Sequence, residues 1–243
     1  MNASAEFLQE SVELIGAERT EQLVGTVLES IAFAEMYHEL EWPLKDVAIG
    51  FSRWPDVVDG VPWSRISGLG HGYFGLRIMF NLDDIGDDVI DDIRPVVVHE
   101  VSHCASTQNA YLNGEVNGPD NPWSLLRYVF DEGTAKWHES LFMNHKQSAL
   151  FAANFKANPT GIDMLQEVDM LVARANSTNI TDLYDYLFGD AEHPKKGYRV
   201  GVALVDFALG HGLTCERELV RLSSEDVHEI GKLFLEEYCE AAA

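Results

Sequence analysis

Pro95-Val96-Val97-Val98-His99-Glu100-Val101-Ser102-His103 is the stretch that decides the fold. It sets His-Glu-x-x-His inside an apolar run. On a helix, residues four apart stand one above the other on one face, so His99 and His103 would aim two imidazoles at a single point. Glu100 would stand beside that point. Neutral nitrogens that hold a zinc ion, with a free carboxylate to move the proton of its water, are what zinc hydrolysis requires. Pro95 suits the first turn of such a helix, and Asp91 and Asp92 before it face the positive end of the dipole. With 9 histidines in the chain, shuffling yields only about 0.03 copies of this pattern. A helix carrying two histidines by coincidence is the plainer alternative, and the spacing argues against it.

Composition sets the frame around that stretch. The chain has 243 residues, 46% of them hydrophobic, which is enough for a substantial ordered core. Its formal charge of −23 argues against nucleic acid or an anionic membrane as partner, because both would repel it. Basic peptides would be attracted instead. Cys104, Cys215 and Cys239 form no C-x-x-C pair and no even framework, so a reducing compartment is expected. Cys104, one residue after His103, points to another side of the helix and reads as a small buried residue. The start of the chain lacks a basic region followed by an apolar run, and no segment nears the length of a membrane span. A soluble, cytoplasmic chain is expected.

Upstream, residues 5–40 carry apolar side chains at helical spacing, interrupted at Gly16. Val47, Ile49 and Phe51 alternate as a strand would. Gly68-Leu69-Gly70-His71-Gly72 leads into Leu76-Arg77-Ile78-Met79-Phe80, a second strand. The glycines permit bends and the close approach of another backbone. That strand is either the sheet edge on which an extended peptide lies, or half of an ordinary hairpin with a glycine-rich turn. Asp83 to Asp92 does not match a calcium loop and reads as a solvated acidic turn. Residues 108–122 read as a long loop, after which a helix begins near Pro122. Further helices are expected over 145–176, 181–187 and 200–209.

A catalytic zinc held by two histidines is one protein ligand short. Glu132, separated from His103 by 28 residues, is the choice, within Asp131-Glu132-Gly133-Thr134-Ala135. A glycine in mid-helix costs about 1 kcal/mol against alanine and needs a reason. Close packing of this helix on the His99–His103 helix would be one. Asp131, His138 and Glu139 are the competitors. Asp131 would suit an imidazole N–H better than the ion. His138 and Glu139 lie almost two turns on, on a face the polar pattern assigns to solvent. His38, His145, His211 and His228 lack partner spacing and read as structural or exposed.

With those residues in place the chain resembles the gluzincin metallopeptidases, and more narrowly a bacterial family described as predicted zinc-dependent proteases. The resemblance rests on His99-Glu100-Val101-Ser102-His103, on Glu132-Gly133-Thr134-Ala135, on Gly197-Tyr198-Arg199-Val200-Gly201, and on Leu222 to Asp226 before a last helix. It covers roughly residues 45–237. It implies a single zincin-like metallopeptidase domain: α+β, mostly helical, with a small antiparallel sheet above the zinc helix and the glutamate helix. Within residues 1–243 the N-terminal helices would occupy 1–40, the sheet and zinc helix 45–110, and a helical lower part 120–243. One Zn2+ would be held by His99, His103 and Glu132, with Glu100 as general base. Tyr198 would donate its hydroxyl to the oxyanion formed as a peptide bond is hydrolysed. His193 is a weaker candidate for the same role. Two alternatives use the same residues: a zinc-stabilised binding or regulatory protein without activity, and a zinc amidase acting on a non-peptide bond. Glu100 speaks against the first, since a purely structural site needs no base.

Overall fold

In a computed structural model of the chain, residues 12–53, 57–58, 61–62, 65–71, 74–115, 123–154, 162–174, 186 and 196–240 are described. They divide into two compact units. The first comprises Met1–Gln108 with His138–Asn144, the second Asn109–Trp137 with His145–Ala243.

The first unit opens with helix α1, Ala17–Tyr37. Gly16, with φ of 87°, separates it from the helical turn before, as expected of a residue free to take left-handed backbone. Leu23, Val27, Ile31 and Ala34 recur every three to four residues and are fully buried. The sheet follows as β1 (Asp46–Ser52), β4 (Ile66–His71) and β5 (Gly75–Asn81), with the two-residue strands β2 (Val57–Val58) and β3 (Val61–Pro62) pairing separately. β5 is central. It runs antiparallel to β4 and parallel to β1, so the sheet is mixed where an all-antiparallel one was expected. The physical reason is that β1 and β5 are not hairpin partners: a crossover joins them, and β4 takes the hairpin side. Leu76, Ile78 and Phe80 alternate inward on β5 while Arg77 stays exposed.

The acidic run after β5 forms two short 3₁₀ turns, Leu82–Asp84 and Asp87–Val89. It is tied by ion pairs as well as solvated: Arg53 pairs with Asp83, and Arg65 bridges Asp88 and Asp92. Helix α2 then spans Ile90–Leu112. It starts a full turn before Pro95, not at it. Asp91 and Asp92 occupy the first turn, where carboxylates complement the dipole, and proline sits inside the helix at the point where Asp91's carbonyl loses its usual donor. The far end reaches Leu112, so the expected loop from 108 begins later. Val97, Val98, Val101 and Cys104 pack α2 into the core with the sheet and α1. Cys104 is buried and its thiol donates to the Gly75 carbonyl over 3.2 Å, as a small core residue would. Gln108 clamps the chain between α1 and β1, accepting from the Trp42 amide and donating to its carbonyl over 3.0 and 2.7 Å.

The second unit is helical. It holds most of α3 (Leu125–Leu141), then α4 (His145–Asn154), α5 (Ile162–Ala173), α6 (Lys196–Gly210), a 3₁₀ stretch Glu216–Arg221 and α7 (Ser224–Glu240). Leu126, Val129 and Phe130 of α3 join Val168, Leu171, Leu204 and Phe234 in one core. Gly133 has a different reason from the expected one. A Cβ there would lie 2.1 Å from the carbonyl carbon of Gly201 on α6, and a Cβ on Gly201 would lie 2.1 Å from the Val129 carbonyl oxygen. The two glycines let α3 and α6 cross backbone to backbone, which accounts for Gly201 in the glycine-tyrosine segment. α7 is capped by Asp226, which accepts from the Ser223 amide over 2.9 Å, and by Glu115, which accepts from the Ser224 amide over 2.9 Å. The architecture is α+β and mostly helical, with a three-stranded mixed sheet. Among the described residues, no helix is long and apolar enough to cross a membrane.

Candidate metal centre

The site belongs to the first unit and is built on α2. His99 and His103 present their Nε2 atoms to each other at 3.3 Å, with ring centroids 5.0 Å apart and planes at 78°. Two ligands at about 2.0–2.1 Å from a tetrahedral zinc lie about 3.3–3.4 Å apart. The observed separation therefore fits one ion shared by both rings. Glu100 Oε1 stands 4.0 Å from His99 Nε2. Together His99, Glu100 and His103 are a group of side chains able to hold a metal ion, with ligand atoms all within 4.8 Å of one another.

A carboxylate stands on the far side of the His99 ring. Glu139 Oε2 is 2.9 Å from Nδ1. A carboxylate at that distance favours the proton on Nδ1, which would leave the lone pair on Nε2, the nitrogen that faces His103. Glu139 and its neighbour His138 thus overturn the solvated-face expectation: they are 8% and 1% exposed. The periodicity of α3 places them on the face that its last turn buries. Glu139 stands against the His99 ring, at the nitrogen turned away from His103. Asp131, put forward for an imidazole N–H, lies in the second unit, where its charge acts on the buried Arg127.

Behind α2 lies a buried polar seam. Ser102 Oγ is 3.2 Å from His138 Nδ1, and the His138 ring packs edge-on against His38 at 4.8 Å and against Tyr37 at 5.7 Å. His38 Nε2 donates to the Val98 carbonyl over 3.2 Å. Burial pushes the His38 imidazole down to about 3; the nearby His138 acts in the same direction, the Val98 hydrogen bond opposes them, and His103 adds a smaller push downward. His38 is therefore a neutral, hydrogen-bonded core residue, as its lack of partner spacing suggested.

β4 crosses directly over Glu100. The Gly70 amide donates to Glu100 Oε2 over 2.6 Å. A Cβ on Gly68 would lie 2.3 Å from Glu100 Cγ, and one on Gly70 would lie 2.1 Å from the Glu100 carbonyl oxygen. The hairpin reading holds, since the glycines lie on β4, which pairs antiparallel with β5; the strand Leu76–Phe80 is not the sheet edge expected of it, because β5 is flanked by β1 and β4 and the edge falls to the glycine strand. The glycine pattern was visible in the sequence, but its partner was not.

Glu132 and Tyr198 belong to the second unit. Tyr198 is half-buried near the start of α6, packs on that unit's core, and has the Lys136 ammonium 6.0 Å from its ring centroid. His193, the 181–187 helix and the side chain of His71 lie outside the described residues. Comparison with protein-family models, with curated proteins and with solved structures gives no match.

Proposed function

We propose that this chain is a zinc-dependent hydrolase of peptide bonds. The observation that carries the reading is the pair of Nε2 atoms 3.3 Å apart, one ring backed by Glu139 and both flanked by the Glu100 carboxylate. In this reading His99 and His103 hold the ion through Nε2. The third protein ligand is Glu132 on the sequence argument, and Tyr198 is the oxyanion donor on the family resemblance. Zinc, when bound, supplies a water acidic enough to react near neutral pH and positive charge for a carbonyl oxygen.

The remaining chemistry belongs to the chain. Glu100 takes the proton of the attacking water and returns it to the leaving amine. Glu139 holds the His99 ring in the tautomer that presents Nε2. A basic stretch of peptide suits the net charge of −23. A reducing, cytoplasmic setting is part of the same proposal and rests on cysteines without pair spacing.

Elemental analysis and peptide-library digestion test it together. One zinc per chain and cleavage that disappears in Glu100→Gln are the expected results. Zinc without any cleavage would turn the reading toward a metal-stabilised binding protein. Cleavage confined to non-peptide amides would turn it toward an amidase. A chain that takes up no zinc would overturn it.

A further inference from the structure

The two carboxylate oxygens of Glu100 face different neighbours. Oε2 receives the Gly70 amide at 2.6 Å, while Oε1 stands 4.0 Å from His99 Nε2. In the β4–β5 ladder the Arg65 carbonyl accepts from the Asn81 amide over 2.9 Å, so residues 65, 67, 69 and 71 turn their polar groups toward β5. Ile66, Gly68 and Gly70 turn theirs outward. The Gly70 N–H therefore contributes nothing to the sheet. It is directed at a buried side chain that is only 8% exposed.

Why the strand can come so close is equally specific. Any side chain at position 68 would occupy the space of Glu100 Cγ, its carboxyl carbon and Oε1, the last 2.5 Å from the added Cβ, so Oε1 keeps its place only because residue 68 is glycine; any side chain at 70 would meet the α2 backbone. Glycine at both positions removes the barrier and leaves the amide within hydrogen-bonding reach.

We infer that Gly68-Leu69-Gly70 is a positioning cradle for the base: the Gly70 amide anchors Glu100 Oε2 and thereby assigns proton transfer to Oε1. The inference rests on the hydrolase reading above. A proton on the oxygen that already accepts an N–H makes that oxygen a poorer acceptor and weakens the charge-assisted bond, so the incoming proton is favoured on the other oxygen. The proton goes to Oε1, on the side of the two histidines, where the water's proton is released and the leaving nitrogen needs it. The anchor also removes rotation about the terminal carboxylate torsion, which is otherwise broad and two-fold. Gly68 and Gly70 are positioning residues, since they act through Glu100.

Amide hydrogen exchange on the full chain tests the anchor apart from activity. In the wild type the outward-facing Gly70 amide should exchange at least about 10-fold more slowly than in Glu100→Ala, because a charge-assisted bond is lost in the variant. Glu100→Gln should keep most of the protection, since its carbonyl oxygen still accepts, and the amides bonded across β4–β5 should be unchanged in both. Equal Gly70 exchange in wild type and Glu100→Ala, with the ladder intact, overturns the cradle. Peptide hydrolysis then tests the role. Gly68→Ala should keep its zinc and its KM within about twofold while kcat falls at least about 10-fold, as expected when a positioned base is displaced. A Gly68→Ala enzyme with unchanged kcat overturns the assignment to Oε1. A wild type that holds zinc but cleaves no peptide overturns the hydrolase reading and the working role of Oε1 with it, whatever the exchange data say about the anchor.

Discussion

Replacing Gly133 with alanine separates two opposite effects of one methyl group. In an exposed helix the change stabilises by about 1 kcal/mol, because alanine loses less backbone freedom on folding. At Gly133 the new Cβ would stand 2.1 Å from the carbonyl carbon of Gly201, where ordinary contact begins at 3.4 Å. The obstacle is backbone, so no rotamer change relieves it, and α3 and α6 must part by more than an ångström. Overpacking of this kind costs about 1–3 kcal/mol, and a backbone obstacle belongs at or above the top of that range. Allowing for the helix gain of about 1 kcal/mol, the net loss is about 2 kcal/mol. For a chain of this size that lowers Tm by about 4–8 °C. Gly25 on α1 is the control, since a Cβ there meets nothing within 4 Å. Gly25→Ala should raise Tm by about 2–4 °C. Thermal unfolding followed by circular dichroism gives both numbers. The double variant Gly133→Ala, Gly201→Ala should lose less than the sum of its parts, because helices already parted admit the second methyl more cheaply. A rise in Tm for Gly133→Ala matching that of Gly25→Ala would refute the close-crossing argument.

Glu100→Gln should retain zinc and lose about 10²–10⁴-fold in peptide turnover, the range for removing a general base; undiminished turnover would contradict the role. Glu139→Gln should weaken zinc binding about 10–100-fold while leaving the circular dichroism spectrum intact, as competition with a chromophoric chelator will show; unaltered affinity would mean the carboxylate does not orient His99. His103→Ala should abolish stoichiometric zinc at micromolar protein, and full occupancy by elemental analysis would move the site elsewhere. Acid should destabilise the first unit through His38. Its folded-state pKa is depressed, so the unfolded chain binds the proton first, and stability present above about 6.5 is lost as pH falls toward about 3. Between pH 6.5 and 5 the loss from this residue is about 2 kcal/mol. Urea midpoints at pH 7 and pH 5 should therefore move further apart in the wild type than in His38→Gln; equal shifts in both would remove His38 as the cause.

Much of the candidate site was legible before any coordinates. His99, Glu100 and His103 declare themselves because their spacing and the helical period are both local quantities, set within five residues by backbone geometry. The alternation of Leu76, Ile78 and Phe80, and the buried stripe of α1, were legible for the same reason. Cys104 as a core residue followed from its angular position on the same helix. The start of α2 did not follow. Pro95 looks like a first-turn residue, yet tertiary packing of Val89 and Ile93 extends the helix back beyond it.

What the sequence determined by itself is the identity and local facing of the two imidazoles and the Glu100 carboxylate. Only the tertiary structure decided which distant groups complete them. Glu139 reaches His99 Nδ1, Gly70 donates to Glu100, and Gly133 meets Gly201 across separations of 40, 30 and 68 residues. The sheet's mixed pairing was likewise settled only where β1 and β5 meet. Periodicity reports which face of an element is apolar; it carries no record of which other element that face will meet, because that choice is made by packing among segments remote in the chain.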